Sequence, residues 1–582
     1  MTLQQSKLLI FSLLFFFPQF ISSQVTNVYN INGCNELSEQ IFIECIYNNS
    51  SKSNDEIIKF IGQEFIQKGF YDFKILNFSI DTNNVKDSIF YSLDLIEGKP
   101  TYIRNVIVDS LAQNDSLEIL SYFDFLKGEI FIKEIIESRI ENILQNLENS
   151  GYPFASIKIK SVVFNYNNDS SKIADIYLAI DKEKIRKLDK VEISGNTKTK
   201  DYVIINTARL TKGELYSQER IEEIPILLNK TRFFKSISTP TYLVNSAGEG
   251  ILQLNIEEKN TNSFDGIIGY VPATSSKDEG YLTGFVNISL LNLFGTGRAA
   301  AIRWKQENTL TQELELKYLE PWLFDQPFNL NVNFFQRKQD SSYVKRIFGG
   351  NIEYLATENI SASVIIESES TIPSIDITNN SILNSTSLNT GLQLKLDYRD
   401  DIYSPRSGIY FASTYKYRNK KINSDELPIG ILNDNLEYHN YELEFGFFYT
   451  LFQNQVLALG VHAKEVIGDY YDISDFFQLG GTNSLRGYRE NQFYGNRIIW
   501  SNFEYRFLLS QSSYLFTFYD LGYYLISENL ANNTNRQSDL NSGYGLGISL
   551  DTALGIMRVS YAMAEGTSIS NGLIHFGLLN DF

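Results

Sequence analysis

The residue in this sequence best placed to do chemistry is Arg486, in the run Gly480-Gly481-Thr482-Asn483-Ser484-Leu485-Arg486-Gly487-Tyr488. A guanidinium carried out of water needs a carboxylate, and its planar fork can hold one bidentately. Two acids compete for it. On a strand over 514–522, Phe518, Asp520 and Gly522 share one face, so Asp520 points inward if Tyr519 and Leu521 point outward. Glu504, in Phe503-Glu504-Tyr505-Arg506, is the rival. Gly487 would let a loop tip approach a wall closely, and Tyr488 would add a rigid contact beside it. The plainer alternative is that Arg486 only solubilises a surface loop.

Other motifs weigh less. Gly295-Thr296-Gly297-Arg298-Ala299-Ala300 imitates a dinucleotide fingerprint. Ile302 and Trp304 continue the pattern as a strand rather than a helix, which favours a hairpin turn. Gly543, Gly545 and Gly547 make one smooth strand face rather than a phosphate cradle. His439, His462 and His575 have no metal-ligand or triad spacing and read as wall residues. No nucleophile elbow, zinc motif or P-loop is found, so the reading is of a non-enzyme with no cofactor, no metal and no catalytic residue.

The elements that must position these residues are constrained by composition. The chain has 582 residues, 51 Lys+Arg against 69 Asp+Glu for a net charge of -18, two cysteines, 41 Phe, 36 Tyr and 36 Gly. That balance excludes a basic nucleic-acid binder, a disulfide scaffold and a low-complexity tail. Lys7, the apolar run Leu8 to Phe17 and the small residues Ser22-Ser23 read as a signal peptide spanning 1–23. No later segment has the apolar length of a membrane helix, so the mature chain is soluble outside the cytoplasm or crosses a membrane as strands. Cys34 and Cys45 could be paired or free in that compartment.

Two regimes meet near residue 260. Before it, Ile136, Ile140, Ile143 and Leu147 form one helical face, Gly151 stops it, and Ala155, Ile157 and Ile159 alternate as a strand. The same grammar surrounds Gly69-Phe70 and closes on Leu252, Leu254 and Ile256, which suggests three copies of one small α/β module. After residue 260 strict alternation takes over, as in Phe328, Leu330, Val332 and Phe334 between asparagines. A soluble sandwich would alternate too. Charged and amide side chains on the second face, with polar loops expected at 369–390 and 418–437, suit a barrel with lipid outside and water inside. At about 20 residues per strand and connection, the remaining length makes roughly 16 strands.

Against that frame, Leu485-Arg486-Gly487-Tyr488 resembles the arginine-glycine-aromatic signature of the BamA/TamA superfamily, and Phe518-Tyr519-Asp520-Leu521-Gly522 resembles the strand motif whose aspartate pairs with that arginine. Similar pieces are Asn292 to Arg298, Glu320-Pro321, Asp397-Tyr398-Arg399-Asp400 with Pro405 and Gly408, Gly543 to Gly547 with Arg558 and Tyr561, and the terminal aromatic Phe582. Val191 to Glu214 followed by Phe233-Phe234 looks like a polypeptide-transport-associated (POTRA) domain. Pro225, inside the expected second helix of that module, predicts a kink, and residues 25–54 match no module cleanly.

The resemblance implies an α+β series of POTRA repeats followed by an antiparallel transmembrane β-barrel of about 16 strands. The divisions it suggests are 24–98, 99–186 and 187–260 for the modules and 261–582 for the barrel, an arrangement nearer the TamA-like branch than the five-module BamA branch. It implies a factor in the outer membrane of a Gram-negative-type bacterium, its modules in the periplasm, that takes unfolded outer-membrane clients and inserts or exports them. The lipid bilayer is the second partner, nucleic acid is none, and periplasmic or inner-membrane accessory proteins stay open. A lateral seam is expected where the first and last strands meet, at Gly266, Gly269, Gly572, Phe576 and Phe582. The rival readings are a dedicated two-partner-type secretion pore and a passive porin.

Overall fold

The computed structural model describes residues 26–33, 53–83, 88–109, 121–168, 171–235, 237–271, 281–306, 310–340, 342–374, 382–402, 404–423, 427, 431, 433–528, 535–552 and 555–579. The signal segment, Cys34, Cys45 and Phe582 lie outside them. The chain forms two compact units, Met1–Lys187 with Leu215–Gln218, and Leu188–Glu214 with Glu219–Phe582.

The first unit holds two helix-on-sheet modules. In one, β1 (Thr26–Asn32) runs parallel to β3 (Ser88–Ile96), which pairs antiparallel with β2 (Lys74–Asn83). Helix α1 (Asn54–Gln67) starts where Glu56 accepts a hydrogen bond from the Ser53 N–H at 3.0 Å, satisfying an otherwise orphaned donor. Ile57, Ile61 and Phe65 fall on one face of it and are buried against Tyr91, Leu93 and Leu95. The second module repeats the order with β4 (Tyr102–Asp109), α2 (Lys133–Asn149), β5 (Ser156–Tyr166) and β6 (Lys172–Asp181). Ile136, Ile140 and Ile143 of α2 cover Ile176, Leu178 and Ile180. In its sheet the Arg104 fork holds the buried Asp175 carboxyl below the usual range, Nε lying 2.9 Å from Oδ1. Tyr71, Phe131 and Phe164 pack together between the two modules, Phe131 and Phe164 in a T-shaped contact and Tyr71 tilted against both, and Lys172 reaches Asp72 at 2.6 Å.

The second unit opens with a third copy made of β7 (Lys190–Ser194), α3 (Asp201–Thr207), α4 (Gln218–Lys230), β8 (Thr241–Val244) and β9 (Gly250–Asn255). Helix α4 continues through Pro225, which removes one N–H from its ladder but leaves Ile221, Ile224, Leu227 and Leu228 buried.

A sixteen-stranded antiparallel barrel follows: β10 (Asn262–Val271), β11 (Tyr281–Leu293), β12 (Arg298–Gln306), β13 (Gln312–Glu320), β14 (Phe328–Gln339), β15 (Tyr343–Leu355), β16 (Ile360–Pro373), β17 (Ser385–Asp397), β18 (Gly408–Ile422), β19 (Asn435–Phe452) and β20 (Gln455–Gly468). A long loop containing the short pair β21 (Phe477–Leu479) and β22 (Phe493–Gly495) interrupts the meander. It resumes with β23 (Arg497–Leu508), β24 (Tyr514–Ile526), β25 (Gln537–Thr552), β26 (Gly555–Ala564) and β27 (Leu573–Leu579). Alternation separates the faces. On β24, Phe516, Phe518 and Asp520 are buried while Leu515, Tyr519 and Leu521 are exposed on the outer surface.

Two expected loops are shorter than their composition suggested. Strand β16 runs to Pro373 and β17 begins at Ser385, while β18 runs to Ile422 and β19 begins at Asn435. The polar residues that imitate loop there, Glu369, Thr371, Arg418 and Lys420, are inward strand positions and buried. Gly295 and Gly297 sit in the β11–β12 turn with positive φ, so this glycine run is a hairpin. The third module docks on that turn: Lys200 N–H donates to the Gly295 carbonyl at 2.8 Å, and Asn292 Nδ2 donates to Thr199 Oγ1 at 2.8 Å. We call this end of the barrel the near end.

Candidate functional site

The loop 469–496 leaves the far end of the barrel and folds back over the inner faces of β23 to β27. Its tip is closed by its own bonds. Ser484 Oγ accepts from Gly480 N–H at 2.9 Å, Gly481 N–H donates to the Leu485 carbonyl at 3.0 Å, and Glu490 accepts from the Thr482 N–H and hydroxyl, each at 2.8 Å. Gly480, Gly481 and Gly487 all have positive φ, the left-handed conformation that side chains resist. Asn502 of β23 fastens the turn by donating to the Ser484 carbonyl at 2.7 Å.

Arg486 emerges from this turn into a buried charge cluster. Its Nε and Nη2 each lie 2.7 Å from a different oxygen of Asp520, its backbone N–H donates to Asp520 at 3.1 Å, and its Nη1 donates to Glu504 at 2.8 Å. The two acids that compete in the sequence therefore share one guanidinium. The ring of Phe518 lies 3.6 Å beneath the guanidinium carbon. Glu504 also receives Arg506 at 3.0 Å and pairs with Arg558 of β26, so three guanidinia surround two carboxylates. Arg506 in turn donates to the Pro405 carbonyl at 3.3 Å. A cavity of about 220 Å³ adjoins the cluster, lined among others by Phe448, His462, Asn502 and Arg558.

The wall is built to receive the loop. A Cβ on Gly543 would overlap the Arg486 carbonyl, and one on Gly522 would press on Leu485 at 2.8 Å. These glycines of β25 and β24 create room for the backbone and for Leu485, which is fully buried with Leu479, Ile498, Trp500 and Tyr524. Tyr488 donates to the Ser542 carbonyl at 3.1 Å and packs its ring on Phe493. Gly487 N–H donates to His575 Nε2 at 3.0 Å, a role that spacing alone did not single out. His439 and His462 are wall residues, the first bonded to Tyr415 at 2.8 Å and the second stacked on Trp500.

The seam positions separate into three groups. Gly266 and Gly269 lie on β10, and Phe576 lies on β27 with its ring exposed. Gly572 stands just ahead of β27, and its missing side chain accommodates the Tyr561 ring. Every other neighbouring pair of strands is hydrogen-bonded, but among the described residues no backbone pairing joins β10 to β27. Among the described residues no group of three His, Cys, Asp or Glu side chains is placed to hold a metal. The chemistry of the buried cluster is that of a lock: charge pairing that orders a loop inside a barrel.

The family model described as the Omp85 superfamily domain matches residues 292–582, half of the sequence. The chain belongs to the Omp85 superfamily. A second model, described as the surface antigen variable number repeat of POTRA domains, matches residues 187–259. Among curated relatives, the outer membrane protein assembly factor BamA of Neisseria meningitidis serogroup B is 22% identical over 274 residues, covering 47% of this chain and 33% of the relative. BamA of Nitratidesulfovibrio vulgaris is 21% identical over 523 residues, covering 82% of this chain and 61% of the relative. The chain thus spans between a third and three fifths of the length of these relatives. Among solved structures, CdiB from Escherichia coli superposes with a TM-score of 0.50 at 9% identity, covering 93% of this chain and 98% of that one, a likeness of fold. The third module is thus the POTRA domain that adjoins the barrel.

Proposed function

We propose that this chain is an outer-membrane assembly or translocation factor, with its POTRA modules in the periplasm and its barrel in the outer membrane. The observation that carries the reading is a lumen loop locked by Arg486 to β23 and β24, next to a junction of β10 and β27 where backbone pairing is missing among the described residues. A passive porin has no use for three periplasmic modules or for Arg486-Gly487-Tyr488. The three-module arrangement within this sequence supports a TamA-like layout, with modules near 24–98, 99–186 and 187–260 and the barrel from 261.

The mechanism follows from unpaired backbone. Outer strands of the POTRA sheets, such as β8 in the order β7-β9-β8, have a strand neighbour on one side among the described residues, and an extended client can add as the next strand at such an edge. The free edges of β10 and β27 offer the same template inside the membrane, where an unpaired client strand is costly. No nucleotide is needed, because strand pairing itself drives insertion. Depletion followed by quantitative outer-membrane proteomics tests this reading. Loss of many barrels is the expected result. Loss of one secreted protein, or no change at all, would replace it with a dedicated pore or a porin.

A further inference from the structure

The same loop is fastened a second time, on a different arc of the barrel. The short turn Ile473–Asp475 lies at the loop's base, with Asp472 capping it by accepting from Ser474 N–H at 2.8 Å. Lys420 of β18 donates to Asp472 at 2.9 Å and to Asp475 at 2.8 Å. Arg418, two residues earlier on the same inner face, pairs with Asp475 at 2.9 Å and with Glu369 of β16 at 3.5 Å. Lys345 of β15 pairs with Glu369 at 2.8 Å and donates to the Ser474 carbonyl at 3.0 Å. Tyr438 of β19 donates to the Tyr470 carbonyl at 2.7 Å and carries the Arg418 guanidinium on its ring.

Charge counting shows what the loop contributes. The wall supplies three cations, Lys345, Arg418 and Lys420, against one carboxylate, Glu369, an excess of two positive charges. Asp472 and Asp475 of the loop bring two negative charges and make the patch neutral. Arg418, Lys420, Asp472 and Asp475 are all almost completely buried, so each depends on its partners rather than on water. At the Arg486 site the wall is already balanced, with Glu504 and Asp520 against Arg506 and Arg558. Withdrawing the loop therefore leaves a net imbalance of two charges on the β15–β19 side and none on the β23–β27 side.

We infer that Asp472 and Asp475 are positioning residues: their neutralisation of the Lys345–Arg418–Lys420 patch holds the loop base in the lumen and sets where Arg486 can sit. The inference rests on the assembly reading for its biological meaning, but not for its test. The purified full chain is inserted in planar lipid bilayers, and the single-channel conductance of wild type is compared with the Asp472→Asn/Asp475→Asn double variant. A nitroxide on Asn483→Cys, with Cys34 and Cys45 replaced by serine, reports the mobility of the loop tip in both backgrounds.

The double variant, still migrating as a heat-modifiable barrel, is expected to conduct at least about twofold more and to give a more mobile label, since the loop no longer holds its place in the channel. Asp475→Glu, which keeps the charge, is expected to restore the wild-type values. Unchanged conductance and label mobility in a folded double variant would overturn the inference, as would an Asp475→Glu variant whose values match those of the double variant. If the double variant yields no folded barrel, Lys420→Gln undergoes the same two measurements with the same two outcomes. Conductance reports the loop whether or not the protein assembles clients, so failure here and failure of the proteomic test are read separately.

Discussion

The backbone N–H of Gly487 donates to Nε2 of His575 at 3.0 Å, and this bond joins the tip of the lumen loop to the last barrel strand. Only a neutral imidazole can accept there, so Nδ1 carries the ring proton and faces Thr482 Oγ1 at 3.4 Å. Strand β27 is bonded along one edge to β26, and the loop is its support from the lumen.

Replacing His575 by phenylalanine keeps a flat ring but removes the acceptor. The loss of one neutral hydrogen bond is worth about 1 kcal/mol. Amide exchange of Gly487 and of β27 is therefore expected to accelerate several-fold, while β18 and β19 are unaffected. Equal rates in variant and wild type would show that the bond contributes nothing to holding the strand.

The two acids beside Arg486 should behave differently in double-mutant cycles. Asp520 is held by Arg486 through a bidentate pair and a backbone N–H, whereas Glu504 retains Arg506 and Arg558 when Arg486 is gone. Arg486→Ala strands Asp520 as a buried charge, a loss of roughly 3–5 kcal/mol in loop docking. Asp520→Asn should add little to Arg486→Ala, and Glu504→Gln should show the weaker coupling to it. Loop protease sensitivity and folded-barrel yield, measured on all four members of each cycle, check this. Additive defects for Arg486 and Asp520 would contradict the bidentate pairing.

Much of this geometry was legible in the sequence because it is written in local periods. The face Ile136, Ile140 and Ile143 is a helix at any tertiary placement, and Phe518, Asp520 and Gly522 share a strand face whatever the barrel's size. The shared use of Asp520 and Glu504 was not, because it depends on which strand lies beside which across β23, β24 and β26. The second anchor was hidden for a different reason. Arg418 and Lys420 point into a polar lumen, where inward strand positions have the composition of a loop, and the run 418–437 reads as one until the partner carboxylates at Asp472 and Asp475 are seen. The absence of pairing between β10 and β27 among the described residues has no local signature either; glycines are frequent on strands that are fully paired, such as β25.

Glu258, at the junction of the third module and the barrel, makes docking depend on acidity. Burial opposes its charge, but the hydroxyl and N–H donors of Thr199, Thr197 and Lys198 outweigh burial and hold the carboxyl down at about 2, from an ordinary 4.5. A folded-state value below the unfolded one stabilises the fold above the unfolded value, and that contribution is lost as pH falls through the folded value. The 197–200 turn, which carries the docking bond from Lys200 to Gly295, should therefore loosen between pH 4.5 and about 2. Glu258→Gln should be less stable at neutral pH and should flatten the pH dependence of thermal melting across that window. A variant with the wild-type slope would assign the acid sensitivity to other carboxyls.

The edges of β10 and β27, without mutual backbone pairing among the described residues, make the strongest demand on the functional reading. Every other barrel strand is hydrogen-bonded on both sides, so opening elsewhere must break a full ladder, while separating these two strands breaks none among the described residues. If clients are templated there, covalent closure should abolish insertion and leave the folded barrel and the modules intact. Cysteine pairs placed between residues 264–270 and 573–577, in a chain with Cys34 and Cys45 replaced by serine, provide that closure and its reversal by reductant. Client insertion is expected to stop in the oxidised state and return on reduction, with heat-modifiable migration unchanged in both. The Gly487–His575 bond supplies an internal comparison, because His575→Phe should ease opening in the reduced chain and have no effect once the crosslink is made. Full insertion by a verified crosslinked barrel would exclude lateral opening as the essential step and transfer the route to the lumen, where the two anchors of the loop 469–496 would have to release it.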